Sequence, residues 1–205
     1  PDFNHVAMEN GGAVTFNEDR FVTKGGKTRQ QRRKLATTLM HEMAHMWFGN
    51  LVTMKWWDDL WLNESFATYS SYKALAEATE FEEAWKIFNE SKQRAYHQDQ
   101  SITTHPVAQD CPHTQAAFAN FDAITYGKGA ALLKKLSFYL GERTYQKALK
   151  KYFTDFATSN TTLSDFMGTM EEVSDQDLKD WEQRWLKTSM LNQVEVFITY
   201  KKGRI

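Results

Sequence analysis

Residues 41–69 read HEMAHMWFGNLVTMKWWDDLWLNESFATY, and the rest of the chain is interpreted around this stretch. It opens with His41-Glu42-Met43-Ala44-His45, two histidines four positions apart. On an α-helix that spacing stacks them on one face, so their ring nitrogens can converge on one ion at about 2.0–2.1 Å. Glu42 is offset from that face and flanks the ion, where a carboxylate can hold and deprotonate a water. A zinc hydrolase also needs a third protein ligand and an open fourth position. One known arrangement takes that ligand six residues after the second histidine, past a glycine. Here those positions are Leu51 and Phe48, so that arrangement fails. Another takes a glutamate from the following helix. Glu64 stands nineteen positions after His45, within Asn63-Glu64-Ser65-Phe66-Ala67. The candidate set is therefore His41, His45 and Glu64, holding one zinc ion per chain. Taken alone, the five-residue motif also arises by chance, and Glu64 is equally a first-turn carboxylate favoured by the helix dipole. The pairing at this spacing is what points to a metal.

The flanks read as a mainly helical chain. The 205 residues are 41% hydrophobic and 25% charged, an ordinary globular balance. Lys and Arg number 25 against 26 Asp and Glu, so net charge gives no reason to expect nucleic acid as a partner. No apolar run of about 18 residues occurs, which excludes a membrane-spanning helix. Cys111 is the single cysteine, so no internal disulfide forms, and the cytoplasm is the expected compartment. Targeting segments of a parent chain would not be visible here. Gly11-Gly12 and the alternating 13–16 predict a turn and a strand. The pattern predicts helices over 30–48, 63–78, 81–97, 126–140, 142–157, 162–174 and 177–189, a loop over 98–113, and a strand over 194–200. The basic run over 24–34 reads as a solvated face. Cys111 and His113 read as loop residues; Trp47, Trp56, Trp57 and Trp61 read either as the lining of a groove or, for most of them, as core.

Three stretches together resemble the zinc aminopeptidases of the aminopeptidase N and leukotriene A hydrolase family. Residues 41–69 match close to letter for letter, Val6-Ala7-Met8-Glu9-Asn10 resembles the G-A-M-E-N exopeptidase motif, and Thr125-Tyr126-Gly127-Lys128-Gly129-Ala130 resembles T-Y-x-K-G-A. They occur in the family's order. The resemblance implies a partial thermolysin-like (gluzincin) catalytic domain over 1–190, mainly α with a small β-sheet at its N-terminal side and lacking its leading strands. Residues 191–205 would begin a following β domain, and neighbouring domains of the parent chain would flank the catalytic one.

The same resemblance implies a metallo-aminopeptidase acting on peptides with a free N-terminus. Glu42 would be the general base, and Tyr126 the donor to the oxyanion. Glu9 would pair with the substrate ammonium, with the backbone around Val6, Ala7, Met8 and Asn10 beside it. Without the resemblance, Tyr126 reads as a buried tyrosine at a helix start and Glu9 as a loop carboxylate. Val6 departs from the motif's glycine, and a valine does not easily take a positive φ. His5 reads either as a pocket border or as a loop histidine, and Thr68 either as support for Glu64 or as a packed helix threonine. An endopeptidase with the same metal set, or a binding domain without catalysis, are the competing readings.

Overall fold

The computed structural model describes residues 5–22, 25–191 and 195–199. The chain opens with a hairpin, β1 (Ala7–Met8) paired antiparallel with β2 (Thr15–Phe16), in register Ala7 to Phe16. A short α1 (Glu18–Phe21) leads to α2 (Arg29–Ala44), which carries His41 and Glu42. Thr28 and Gln31 form a reciprocal capping box at the start of α2. β3 (Val52–Met54) and a 3-10 turn over Trp57–Asp59 then feed α3 (Leu60–Ala78). Next come α4 (Ala84–Asp99), α5 (Thr114–Ala119), a π-helical turn over Ile124–Lys128, α6 (Gly129–Leu140) and α7 (Glu142–Asp155). β4 (Ser159–Thr161) pairs in parallel with β3, and α8 (Leu163–Ser174) and α9 (Lys179–Trp185) finish the described fold.

α3 is the axis of the molecule. Every residue from Asp59 to Tyr69 is buried, so the helix has no solvent face over that stretch. It packs on α2, α6, α4 and the π-turn. Phe66 stacks on Phe48 with centroids 4.0 Å apart and meets Phe166 edge-on at 5.1 Å, which joins the α2 end to α8. A helix buried all round carries polar residues only where they are satisfied or used. Ser65 is satisfied: its hydroxyl donates to the Thr125 carbonyl at 2.6 Å. Glu64, the residue before it, lines the cleft described below.

The expected fold class, mainly α with a small N-terminal sheet, is the one observed. Boundaries differ where side chains override the local pattern. α2 stops at Ala44 rather than 48, and the chain runs on through i to i−5 hydrogen bonds, as from Asn50 N to His45 O at 3.0 Å. α3 begins at Leu60 rather than 63, so Glu64 lies in its second turn, beyond the strongest part of the helix dipole. Asp59 just before it accepts the Leu163 amide at 2.9 Å, anchoring α8 to the same corner. α5 and the parallel β3–β4 pair have too few residues to show a period. The strand expected over 194–200 is not formed by 195–199, which are exposed; isolated strands gain little without a partner. Residues 194 and 200 lie outside the described residues, as does Lys24 of the basic run. The described part of that run is largely solvated, with Arg29 paired to Glu83. The core assignment holds for Trp61 at 1% exposure and fails for Trp47 at 51% and Trp56 at 45%. Trp56 stays half out because its indole N–H donates to the Cys111 carbonyl at 2.6 Å.

Candidate metal centre

The three expected ligands meet. His41 Nε2 and His45 Nε2 are 3.1 Å apart, His41 Nε2 and Glu64 Oε2 3.3 Å, and His45 Nε2 and Glu64 Oε2 3.5 Å. Bonds of about 2.0–2.1 Å in a tetrahedral shell give donor-to-donor edges of about 3.3–3.4 Å, so this triangle fits a zinc ion. Its donor chemistry fits too, with two imidazoles and one carboxylate. The His45 Nδ1–H donates to the Phe48 carbonyl at 2.9 Å. That bond leaves the Nε2 lone pair directed at the triangle. The turn after α2 therefore sets the histidine tautomer, and Gly49 supports it with φ 128°.

Charge follows from this packing. Burial alone would raise the Glu64 carboxyl, but hydrogen bonds and charge from the two histidines outweigh it and hold the group down at about 2. Burial would lower His45, yet Glu64 and Glu9 raise it to about 9. Glu42 lies beside the triangle, where its carboxylate converges with Glu9 and His45. Burial pushes its carboxyl up to about 7, against the His45 charge and helped by Glu9 and Glu64. A carboxylate near neutrality is matched to accepting and returning a proton.

Glu9 follows β1 and brings a second carboxylate to the same place. Glu9, Glu42 and His45 converge, with Glu9 Oε1 3.9 Å from His45 Nδ1. Val6, Ala7 and Met8 line the same cleft, of about 1090 Å³. β1 uses one edge for β2, and its other edge is unpaired among the described residues. Asn10 is exposed and donates to the Thr15 hydroxyl at 3.2 Å, bracing the hairpin. Val6 does not have a positive φ, so its departure from glycine strains no backbone. His5 lines the cleft. Thr68 lines it as well, but the hydrogen bonds to Glu64 come from His41, His45 and Tyr126.

Tyr126 sits in the π-turn, with its ring 6.1 Å from the His41 ring and 25° from parallel. Burial, and then the charge of Glu64, push its phenol up, so it stays protonated and can donate. His41, Glu42, His45, Glu64, Tyr126, Glu9 and Val6 to Met8 line one cleft, whereas Asn10 does not.

The chain matches the family model described as peptidase family M1 domain over residues 1–185. It belongs to peptidase family M1. M1 relatives bear this out along almost the whole chain. It is 47% identical to an aminopeptidase N of Streptomyces lividans over 195 residues, which is 94% of this chain and 23% of that protein. It is 37% identical to a leucyl aminopeptidase of Saccharolobus solfataricus over 98% of this chain and 26% of that one. It is also 37% identical to the tricorn protease-interacting factor F2 of Thermoplasma acidophilum, over 100% of this chain and 26% of that protein. The chain therefore spans about a quarter of the length of these relatives. No helix among the described residues is long and apolar enough to cross a membrane.

Sequence reading missed several residues that build this M1 site. Asn50 donates to the Glu9 carbonyl at 2.9 Å and joins the hairpin to the α2 turn. Phe118 and Phe121 form an aromatic side of the cleft together with Trp57, for which the sequence offers a groove as one of two readings. Phe118 and Phe121 carry no local signal, since α5 is too short for its exposed face to be recognised and Phe121 lies in the loop after it. His113, read as a loop residue, caps α5 by accepting the Ala116 amide at 3.1 Å.

Proposed function

We propose that residues 1–190 form the catalytic domain of a zinc metallo-aminopeptidase that hydrolyses the first residue from peptides with a free N-terminus. The observation that carries the reading is the convergence on His45: its Nε2 belongs to the metal triangle, and its Nδ1 is 3.9 Å from Glu9. A group that binds an ammonium and a group that binds a metal are thus one imidazole apart, which suits cleavage one residue from a free amine.

His41, His45 and Glu64 would hold the zinc ion. When bound, zinc polarises a carbonyl and acidifies a coordinated water. Glu42 takes the proton from the attacking water and returns it to the departing amine. The Tyr126 hydroxyl donates to the developing oxyanion. Glu9 pairs with the α-ammonium, which is charged at neutral pH with a pKa of about 7.7–8.0. The unpaired edge of β1 adds main-chain hydrogen bonds to the extended substrate. The names of the M1 relatives support an aminopeptidase, and their length supports partner domains beside this one. We place the working protein in the cytoplasm.

The test is a paired digestion read by mass spectrometry, with one peptide carrying a free N-terminus and its twin acetylated. Stepwise loss of single residues from the free peptide alone is the expected result. Internal cuts in both would make the protein an endopeptidase and remove the amine-anchoring role from Glu9. No cleavage of either by zinc-loaded full-length protein would leave a binding domain.

A further inference from the structure

The π-turn that carries Tyr126 is held by one side chain. Asp122 Oδ1 accepts the amides of Ile124 at 2.9 Å and Thr125 at 3.0 Å, and its main-chain carbonyl accepts the Tyr126 amide at 3.1 Å. Three successive N–H groups of the turn therefore end on Asp122. The other oxygen, Oδ2, accepts the His105 Nε2–H at 2.9 Å and the Gln98 side-chain amide. Gln98 returns a bond, its Oε1 accepting the Ala123 amide at 3.1 Å. His105 is fixed in turn by donating its Nδ1–H to the Pro106 carbonyl at 2.7 Å. The carboxylate is thus clamped from α4 and from the 98–113 loop, and clamps the turn.

π-turns widen a helix by one residue, cost hydrogen-bond geometry, and recur at functional sites. This one is wedged where no side chain fits. A Cβ on Gly127 would come within 2.9 Å of the Ser91 carbonyl, and one on Gly129 would collide with the Ser65 side chain. Within it the Tyr126 ring lies 6.1 Å from that of His41, while Thr125 and Gly127 are buried against α3 and α4. A regular helix would need the amide of residue 126 to reach the same carbonyl while the next ones shift by one. The side-chain bonds of Asp122 hold the start of the turn in place instead.

We infer that Asp122, gripped by His105 and Gln98, is a positioning residue for the Tyr126 hydroxyl. The inference rests on the peptidase reading above, in which Tyr126 donates to the oxyanion. Asp122 does not line the cleft, so it acts through the backbone of 124–126 rather than on substrate.

The experiment is a double-mutant cycle of Asp122→Ala and Tyr126→Phe in full-length zinc-loaded protein, joined to hydrogen exchange of the metal-free protein. Tyr126→Phe is expected to lower kcat by about 10²–10³-fold, as loss of an oxyanion donor does. Asp122→Ala is expected to lower kcat by more than about tenfold with KM little changed, and to cost almost nothing further in the Tyr126→Phe background. Asp122→Asn keeps an acceptor for the two amides and is expected to restore most of kcat. Exchange at 124–126 should quicken in Asp122→Ala while α3 keeps its protection. Equal losses of kcat in both backgrounds, or unchanged exchange at 124–126, would overturn the inference. If Asp122→Ala does not fold, His105→Gln replaces it in the same cycle with the same criteria. Wild-type protein that cleaves nothing would sink the peptidase reading instead, and the exchange measurement alone would then decide whether Asp122 orders the turn.

Discussion

Asn50 donates its side-chain amide to the main-chain carbonyl of Glu9 across forty-one residues of sequence, at 2.9 Å. Asn50 also belongs to the turn that leaves α2, where its amide bonds the His45 carbonyl at 3.0 Å. The loop that carries Glu9 is therefore fastened to the same turn that orients His45. Asn50→Ala should raise KM for free-amine peptides by several-fold and at most about tenfold, the worth of one hydrogen bond of about 0.5–1.5 kcal/mol. Steady-state kinetics on one dipeptide series checks this. An unaltered KM would mean the hairpin is held without Asn50.

Glu42 is buried beside His41 and close to Glu9, and it is the carboxylate raised toward neutrality. Glu42→Gln keeps the shape and removes the base. We expect kcat to fall by about 10²–10⁴-fold, the usual contribution of a general base. Zinc content should be unchanged, because Glu42 is outside the metal triangle. A variant that loses its zinc would reassign Glu42 to the ligand set.

Removing the metal should be felt in stability as well as activity. Without an ion, two imidazoles and a carboxylate face one another at 3.1–3.5 Å inside the fold. Zinc that binds only the folded state adds about 4 kcal/mol when free metal exceeds Kd a thousandfold. Chelation should lower the melting temperature and abolish cleavage, and added zinc should restore both. A melting temperature indifferent to chelator would exclude metal from the triangle.

The His105–Asp122 pair gives stability a pH dependence. Burial opposes the charge on His105, but the Asp122 hydrogen bond, the bond to the Pro106 carbonyl and the Asp122 charge together outweigh burial and the Lys128 charge and raise its pKa above the ordinary 6.5. A raised histidine stabilises fully below its unfolded pKa, and the gain is lost as pH climbs through the folded value. The melting-temperature gap between wild type and His105→Gln should be widest at pH about 6 and narrow above about 6.5, the unfolded value. Thermal melts across that range check the sign, and a gap that widens with pH would contradict it.

Much of the site was legible in the chain because its parts are local. His41, Glu42 and His45 lie within five residues, and helical spacing alone directs the two histidines to one point. Glu64 needed one step more, a known spacing to the next helix. Tyr126 and Glu9 were legible only by resemblance, since a lone tyrosine or loop glutamate has no period and no partner nearby in sequence. Elements long enough to repeat, such as α3 and α7, were read within a few residues. α5 and the β3–β4 pair are three to six residues long, too short for any pattern to emerge.

By itself, then, the sequence determined a mainly helical chain and a set of residues able to hold zinc beside a base. Tertiary structure alone decided that Glu9 ends 3.9 Å from His45, that Asn50 fastens it there, and that Asp122, His105 and Gln98 hold the turn of Tyr126. The bonds from Asn50 to Glu9, from His105 to Asp122 and from Ala123 to Gln98 join residues seventeen to forty-one positions apart, each through a single side-chain hydrogen bond. Hydrophobic periodicity records which face of an element is buried. It carries no record of which distant polar groups meet once that face is buried.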